Sequence, residues 1–118
     1  MARFRAIHED CDLGLMMDQR PRKGAVDVRF FGKPAQAMVG AAVLALRHGF
    51  PVVPRCMYRT PEGLAVYFGP ALPVPSGGDT DDNVRALTQV ITDKLEAYIR
   101  ERPEEWFWVH DRWGTKEL

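Results

Sequence analysis

Asp18, Arg20, Arg22 and Lys23 stand within six consecutive positions of the 118-residue chain, in the run Asp18-Gln19-Arg20-Pro21-Arg22-Lys23-Gly24. One carboxylate beside three cations suits the handling of an anionic, phosphate- or carboxylate-bearing ligand. Arginine presents a planar fork that binds such groups through two parallel hydrogen bonds. Neighbouring cations favour the ionised form of a carboxyl such as that of Asp18. Pro21 limits the freedom of the loop and Gly24 permits an unusual turn. A solvated basic turn between two strands gives the same residue pattern, and both readings stand at this point.

The flanking segments must place that loop. Leu13 to Met17 is an apolar run ended by a turn, which predicts a buried strand. Val26, Val28 and Phe30 alternate with Asp27 and Arg29, which predicts a half-buried one. Asp18 then lies where a buried strand delivers the chain to a loop, and in sheets flanked by helices ligands gather at the carboxyl ends of strands. Further on, Gln36–His48 reads as a helix with Val39, Val43 and Leu46 on one stripe, stopped by Gly49. Pro51–Tyr58 and Leu64–Phe68 read as a hairpin around the turn Thr60-Pro61-Glu62-Gly63, with Pro54 marking an irregularity. The Pro/Gly-rich stretch 69–80 leads to a long helix capped by Asp79, Thr80 or Asp81. Its buried stripe is Val84, Leu87, Ile91, Leu95 and Tyr98, and Pro103 ends it.

The order is strand, strand, helix, hairpin, helix, then an aromatic tail holding all three tryptophans. It reads as α/β, a mixed sheet flanked by helices. The tail's Trp106 and Trp108 suit docking onto the body or a membrane interface, and core packing is the expected use of at least two of Trp106, Trp108 and Trp113.

Length allows one small domain or part of one, and 46% apolar residues permit a core. The net charge is zero, but residues 1–59 hold ten Lys/Arg against five Asp/Glu, and residues 60–118 hold six against eleven. Such polarity suits one face meeting an anionic partner, or two halves neutralising each other. Cys11 and Cys56 make neither a disulfide framework nor a metal pattern, so a reducing compartment is expected. No apolar run reaches the roughly 20 residues needed to span a bilayer, and the amino-terminal residues lack the apolar core of a secretion signal.

The run MMDQRPRKGAVDVRFFGKPAQAMVGAAVLALRHGFPVVP, together with PEEWFWVHDRWGTK near the end, resembles the C-terminal half of bacterial lipid A biosynthesis acyltransferases, members of the lysophospholipid acyltransferase superfamily. The resemblance extends from Leu13 to Lys116, and the order and spacing of the motifs carry it. It implies that residues 1–118 are the C-terminal portion of a glycerolipid-acyltransferase-like domain. Residues 1–12 would be an N-terminal segment and 103–118 the aromatic tail. The implied activity moves a fatty acyl group from acyl carrier protein or acyl-CoA to a hydroxyl of a lipid A precursor. That work would take place at the cytoplasmic face of the inner membrane, with no metal or other cofactor.

On this resemblance Asp18 occupies the family's Asp-Gln position near the active site. Arg20, Arg22 and Lys23 would contact the phosphates of the glycolipid. The family's base is a His followed, after four residues, by an acid. From His8 that position is Leu13, and Asp12 falls one residue early, so His8 reads as an ordinary polar residue. His110 beside Asp111 reads as structural. The chain is therefore expected to begin near the middle of the family domain and to be incomplete without an upstream His-x4-Asp/Glu segment. Half a sheet would expose an apolar face and favour self-association.

The alternative is a non-catalytic module that binds anionic lipid or a protein partner through the same basic loop. Ser76 is the only serine and has no nucleophile elbow around it. Phosphate-loop, dinucleotide and zinc signatures are absent. Basic residues do not interleave with aromatics, which argues against nucleic acid as a partner.

Overall fold

The computed structural model describes residues 12–106 and 111–114. Among them are two antiparallel ribbons, two α-helices and one short 3-10 turn. In chain order these are β1 (Ala25–Phe30), β2 (Lys33–Met38), α1 (Gly40–His48), β3 (Arg55–Thr60), β4 (Gly63–Phe68), α2 (Asp81–Glu101) and the 3-10 turn Pro103–Glu105.

β1 follows its alternation: Val28 and Phe30 are buried, Asp27 and Arg29 exposed. It turns directly into β2, so the segment expected to open a helix at Gln36 is a strand to Met38 and the helix begins at Gly40. Two residues, Phe31 (φ 53°) and Gly32 (φ 74°), make the turn, both left-handed. That backbone matches the twist of the strands it joins. Ala35 and Ala37 then face the core opposite Val28 and Val26, where the small alanine side chains fit beneath α2.

Pro34 lies opposite Arg29. The N–H and C=O of Arg29 are turned away from β2 to the carboxamide of Gln89, each at 2.9 Å. Pro34 therefore occupies a position where a ladder donor is not required.

α2 holds the two parts of the core together. Its stripe is the expected one: Val84, Leu87 and Ile91 pack with Ala42, Ala45 and Leu46 of α1 and with Met17, while Leu95 borders them. Ile99, one position beyond the expected Tyr98, packs with Val28, Phe30, Ala35 and Ala37 of the first ribbon. Thr88 and Thr92 are buried on the same helix, and their hydroxyls donate to the carbonyls of Val84 and Thr88 at 2.7 and 2.8 Å. Thr80 is the N-cap, its hydroxyl accepting from the N–H of Asn83 at 3.2 Å. Asp79 instead holds Arg47 at the end of α1, at 2.7 Å.

Three expectations are corrected. Leu13–Met17 is not a strand: it pairs with no neighbour among the described residues, Leu13, Leu15 and Met16 are exposed, and only Met17 reaches the core. The expected strand at Pro51 starts at Arg55, because Pro51 and Pro54 cannot donate to a ladder. Val52 and Pro54 accept single bonds from Leu72 and Gly69, at 2.8 and 2.9 Å. Finally, the sheet is not mixed; the described strands form two separate two-stranded antiparallel ribbons. The fold remains α/β overall.

Candidate functional site

Asp18 sits on the segment between Met17, anchored in the core, and β1. It is half-buried, and its Oδ2 accepts a 2.9 Å hydrogen bond from the indole Nε1 of Trp106. Trp106 follows the 3-10 turn begun by Pro103, which redirects the chain at the end of α2 and brings the tail back over the first ribbon. Its ring packs edge-on against Phe30, with centroids 5.6 Å apart, and Trp113 stacks on Phe30 at 5.4 Å. The indole N–H of Trp113 donates to the carbonyl of Phe30 at 3.1 Å. These aromatics bury a large apolar area while each indole keeps a polar partner.

The charged groups fold into the same place. Arg20 pairs with Asp111 at 3.8 Å. Its guanidinium lies beside Gly114, where an added Cβ would come within 2.9 Å of Cζ. Arg112 is only 1% exposed; it faces the Phe30 ring at 5.3 Å and donates to the carbonyl of Gln36. Its Nε has no hydrogen-bond partner among the described residues. Burial lowers the pKa of Arg112, and the Asp18 carboxylate acts in the opposite sense. So Asp18 serves two partners, as acceptor for Trp106 and as counter-charge for Arg112.

The three cations predicted to act together are thus divided. Arg20 is half-buried against Asp111 and Gly114, whereas Arg22 and Lys23 are exposed. Sequence reasoning passed over Arg112; it read Trp106 as an aromatic for docking, but not as the partner of Asp18. The Asp18–Trp106 bond spans 88 positions, and no local periodicity reveals such a pairing. His8, Trp108 and His110 lie outside the described residues.

Asp18 and Trp106 also stand in the wall of a cavity of about 830 Å³. Most of that wall is apolar, including Met17, Leu44, Phe50, Val52, Leu72 and Leu95, and Arg55, Cys56, Arg102 and Glu105 add polar edges. An apolar cavity with a few polar groups is the usual form of a site for a small molecule or acyl chain. Burial, followed by the charge of Glu101, pushes the Cys56 thiol up, against a smaller opposing effect of Arg102. A thiol so placed is not activated as a nucleophile. No group of three His, Cys, Asp or Glu side chains among the described residues is arranged to hold a metal ion.

The model of the family described as bacterial lipid A biosynthesis acyltransferase matches residues 3–115. The chain belongs to that acyltransferase family. Phosphatidylinositol mannoside acyltransferases of two Mycobacterium tuberculosis strains, CDC 1551 / Oshkosh and H37Rv, are each 30% identical to it over 99 residues, covering 84% of this chain and 30% of theirs. The enzyme of the same name from Mycolicibacterium smegmatis is 28% identical over 99 residues, covering 84% of this chain and 31% of its own.

The chain therefore spans about a third of the length of the curated relatives it matches. Within the acyltransferase match, Asp18 and Arg20 come from its first part and Trp106, Asp111 and Arg112 from its last, and the fold joins them. Among the described residues no helix is long and apolar enough to cross a membrane.

Proposed function

We propose that this chain is the C-terminal portion of a glycerolipid-acyltransferase-like domain that acylates a hydroxyl of a phosphorylated glycolipid. It would be held peripherally at the cytoplasmic face of the inner membrane. The acyl donor is a thioester of acyl carrier protein or of coenzyme A. The acceptor is a lipid A precursor on the family's description, or a phosphatidylinositol mannoside on the relatives' names. In the reaction the acceptor hydroxyl attacks the thioester carbonyl, the C–S bond breaks, the thiol leaves and the hydroxyl proton passes to a base.

The observation that carries this reading is the apolar cavity with the Asp18–Trp106 pair in its wall. The cavity has the character an acyl chain requires. The exposed Arg22 and Lys23 offer charge to the acceptor's phosphates, and Arg20 shapes the loop from its seat on Asp111. The base is none of these residues. The resemblance puts it on a His-x4-Asp/Glu segment, a spacing that His8, His48 and His110 do not have.

Binding and turnover test the reading separately. A non-hydrolysable acyl-thioester analogue should bind saturably, and Leu72→Glu in the cavity wall should weaken it roughly tenfold or more with the circular dichroism unchanged. No saturable binding, or binding indifferent to Leu72→Glu, would sink the proposal. Incubated alone with acyl carrier protein or CoA thioesters and either glycolipid, the chain should give no transfer. Transfer abolished by His8→Ala would relocate the base to this chain.

A second reading, a non-catalytic module for anionic lipid, is favoured by the exposure of Arg22 and Lys23. It predicts vesicle binding lost in Arg22→Ala/Lys23→Ala, without any binding of the acyl analogue.

A further inference from the structure

The β3–β4 ribbon has two unlike faces. Strand pairs standing opposite each other share a face, so Arg55 with Phe68, Met57 with Val66 and Arg59 with Leu64 form one of them. On the other face Tyr58 meets Arg102, whose guanidinium lies 3.8 Å from the ring centroid, and Tyr67 meets Tyr98 at 5.9 Å. That inner face is tied to the end of α2. The outer face is uncovered: Met57 is 53% exposed, Leu64 71%, Val66 48% and Phe68 61%. Four large apolar side chains at adjoining positions on one ribbon are an unusual thing to leave in water.

We propose that this outer face docks onto the surface of an anionic membrane. The composition of the face selects that occupant. Its apolar centre is flanked by Arg55 and Arg59, both exposed. Arg59 keeps 84% side-chain exposure even with Glu105 at 3.9 Å. A face made for another protein layer would have to bury those guanidinium groups. At a bilayer surface the apolar residues enter the acyl boundary while the arginines stay level with the lipid phosphates.

Met57 and Phe68 also line the cavity, and Leu13, Leu15 and Met16 stand exposed in the same wall. A ribbon seated in the bilayer would bring the cavity's edge to the level of the acyl chains. The inference takes its lipid chemistry from the acyltransferase reading. Its test does not: vesicle binding requires neither an acyl donor nor turnover, and the cavity variant Leu72→Glu should leave it unchanged.

The experiment is co-sedimentation of the full chain with vesicles of phosphatidylcholine alone or with phosphatidylglycerol added, at low and high salt. Wild type should bind the anionic vesicles. Leu64→Gln/Phe68→Gln should lower binding roughly tenfold or more. Arg55→Gln/Arg59→Gln should lower it by roughly fivefold for each arginine at low salt, and erase the preference for anionic vesicles. Arg85→Ala, an exposed residue on α2, is the control and should change nothing. All the substituted side chains are exposed, so far-UV circular dichroism should stay the same.

Hydrogen exchange at residues 63–68 should slow further when vesicles are present. Absence of binding by wild type, or equal binding by the Gln variants, overturns the proposal. Protection that grows with protein concentration without lipid, together with oligomers dispersed by Leu64→Gln/Phe68→Gln, also overturns it and gives the face to a second copy of the chain.

Discussion

The indole N–H of Trp106 donates to the carboxylate of Asp18 at 2.9 Å, joining the loop before β1 to the chain just past α2. Trp106→Phe keeps most of the ring but removes the donor, and should destabilise the chain by about 1–3 kcal/mol, the cost of leaving a half-buried acceptor unsatisfied. Urea denaturation of Trp106→Phe, Asp18→Asn and the double variant tests this. A coupling energy of roughly 0.5 kcal/mol or more is expected; strict additivity would show that the bond contributes nothing.

Leu87 has no exposed surface and sits between α1 and α2. Leu87→Ala should cost about 2–5 kcal/mol through lost burial and the cavity left behind. Leu64→Ala, on the uncovered ribbon face, should stay within about 0.5 kcal/mol of wild type. The comparison by thermal or urea unfolding checks which apolar residues form the core.

Gly114 has φ 75° and the Arg20 guanidinium beside it. Gly114→Ala should destabilise by about 1–3 kcal/mol from the left-handed backbone alone, and the new methyl must also displace Arg20. Adding Arg20→Ala to Gly114→Ala should recover only the second part. Full recovery would mean that the backbone carries no strain there.

The hydrogen bond from Arg47 holds the Asp79 carboxyl below its ordinary pKa of 3.8. A depressed folded pKa gives stability that is present above the unfolded value and lost as pH falls through the folded one. The thermal-midpoint difference between wild type and Asp79→Asn should therefore be constant from neutral pH down to about 5 and fade only as the pH drops below 3.8 and through the lower folded value. A difference that survives in acid would assign the effect to packing.

Cys56, its thiol pushed up by burial and by Glu101, should react slowly with a disulfide reagent. In a Cys11→Ser background, the pH midpoint of the reaction rate should lie above that of the same chain in denaturant. A midpoint shifted downward would mark an activated thiol.

How far the sequence could be read follows from the range of the forces involved. The α2 stripe, the Thr60–Gly63 turn and the alternation of β1 are local patterns, and the fold contains them. β2 was hidden because Phe31-Gly32 lacks the Asn-Gly or Asp-Gly that announces a two-residue hairpin, and because alanines suit a helix by propensity. Leu13–Met17 is apolar without being buried: only Met17 reaches the core, and the run lines an open cavity. The basic loop was legible as a cluster, but not its division. Which cation is engaged depends on Asp111 and Gly114, some 90 residues away in sequence, and on the return of the tail past Pro103.

The hydrogen bonds along the first ribbon leave it no room to grow. On the outer side of β1, Gln89 takes both backbone groups of Arg29, and Glu96 takes the N–H of Phe31. On the outer side of β2, Pro34 has no donor to offer and Arg112 occupies the carbonyl of Gln36. A further strand arriving there would have to displace side chains already bonded. In the second ribbon, Glu105 takes the N–H of Arg59 on β3 and the Thr60 hydroxyl donates to the carbonyl of Gly63 at the turn, but among the described residues no side chain bonds the backbone of β4 from Leu64 to Phe68. Strand addition, whether from another acyltransferase segment or in aggregation, is thereby directed to Gly63–Phe68.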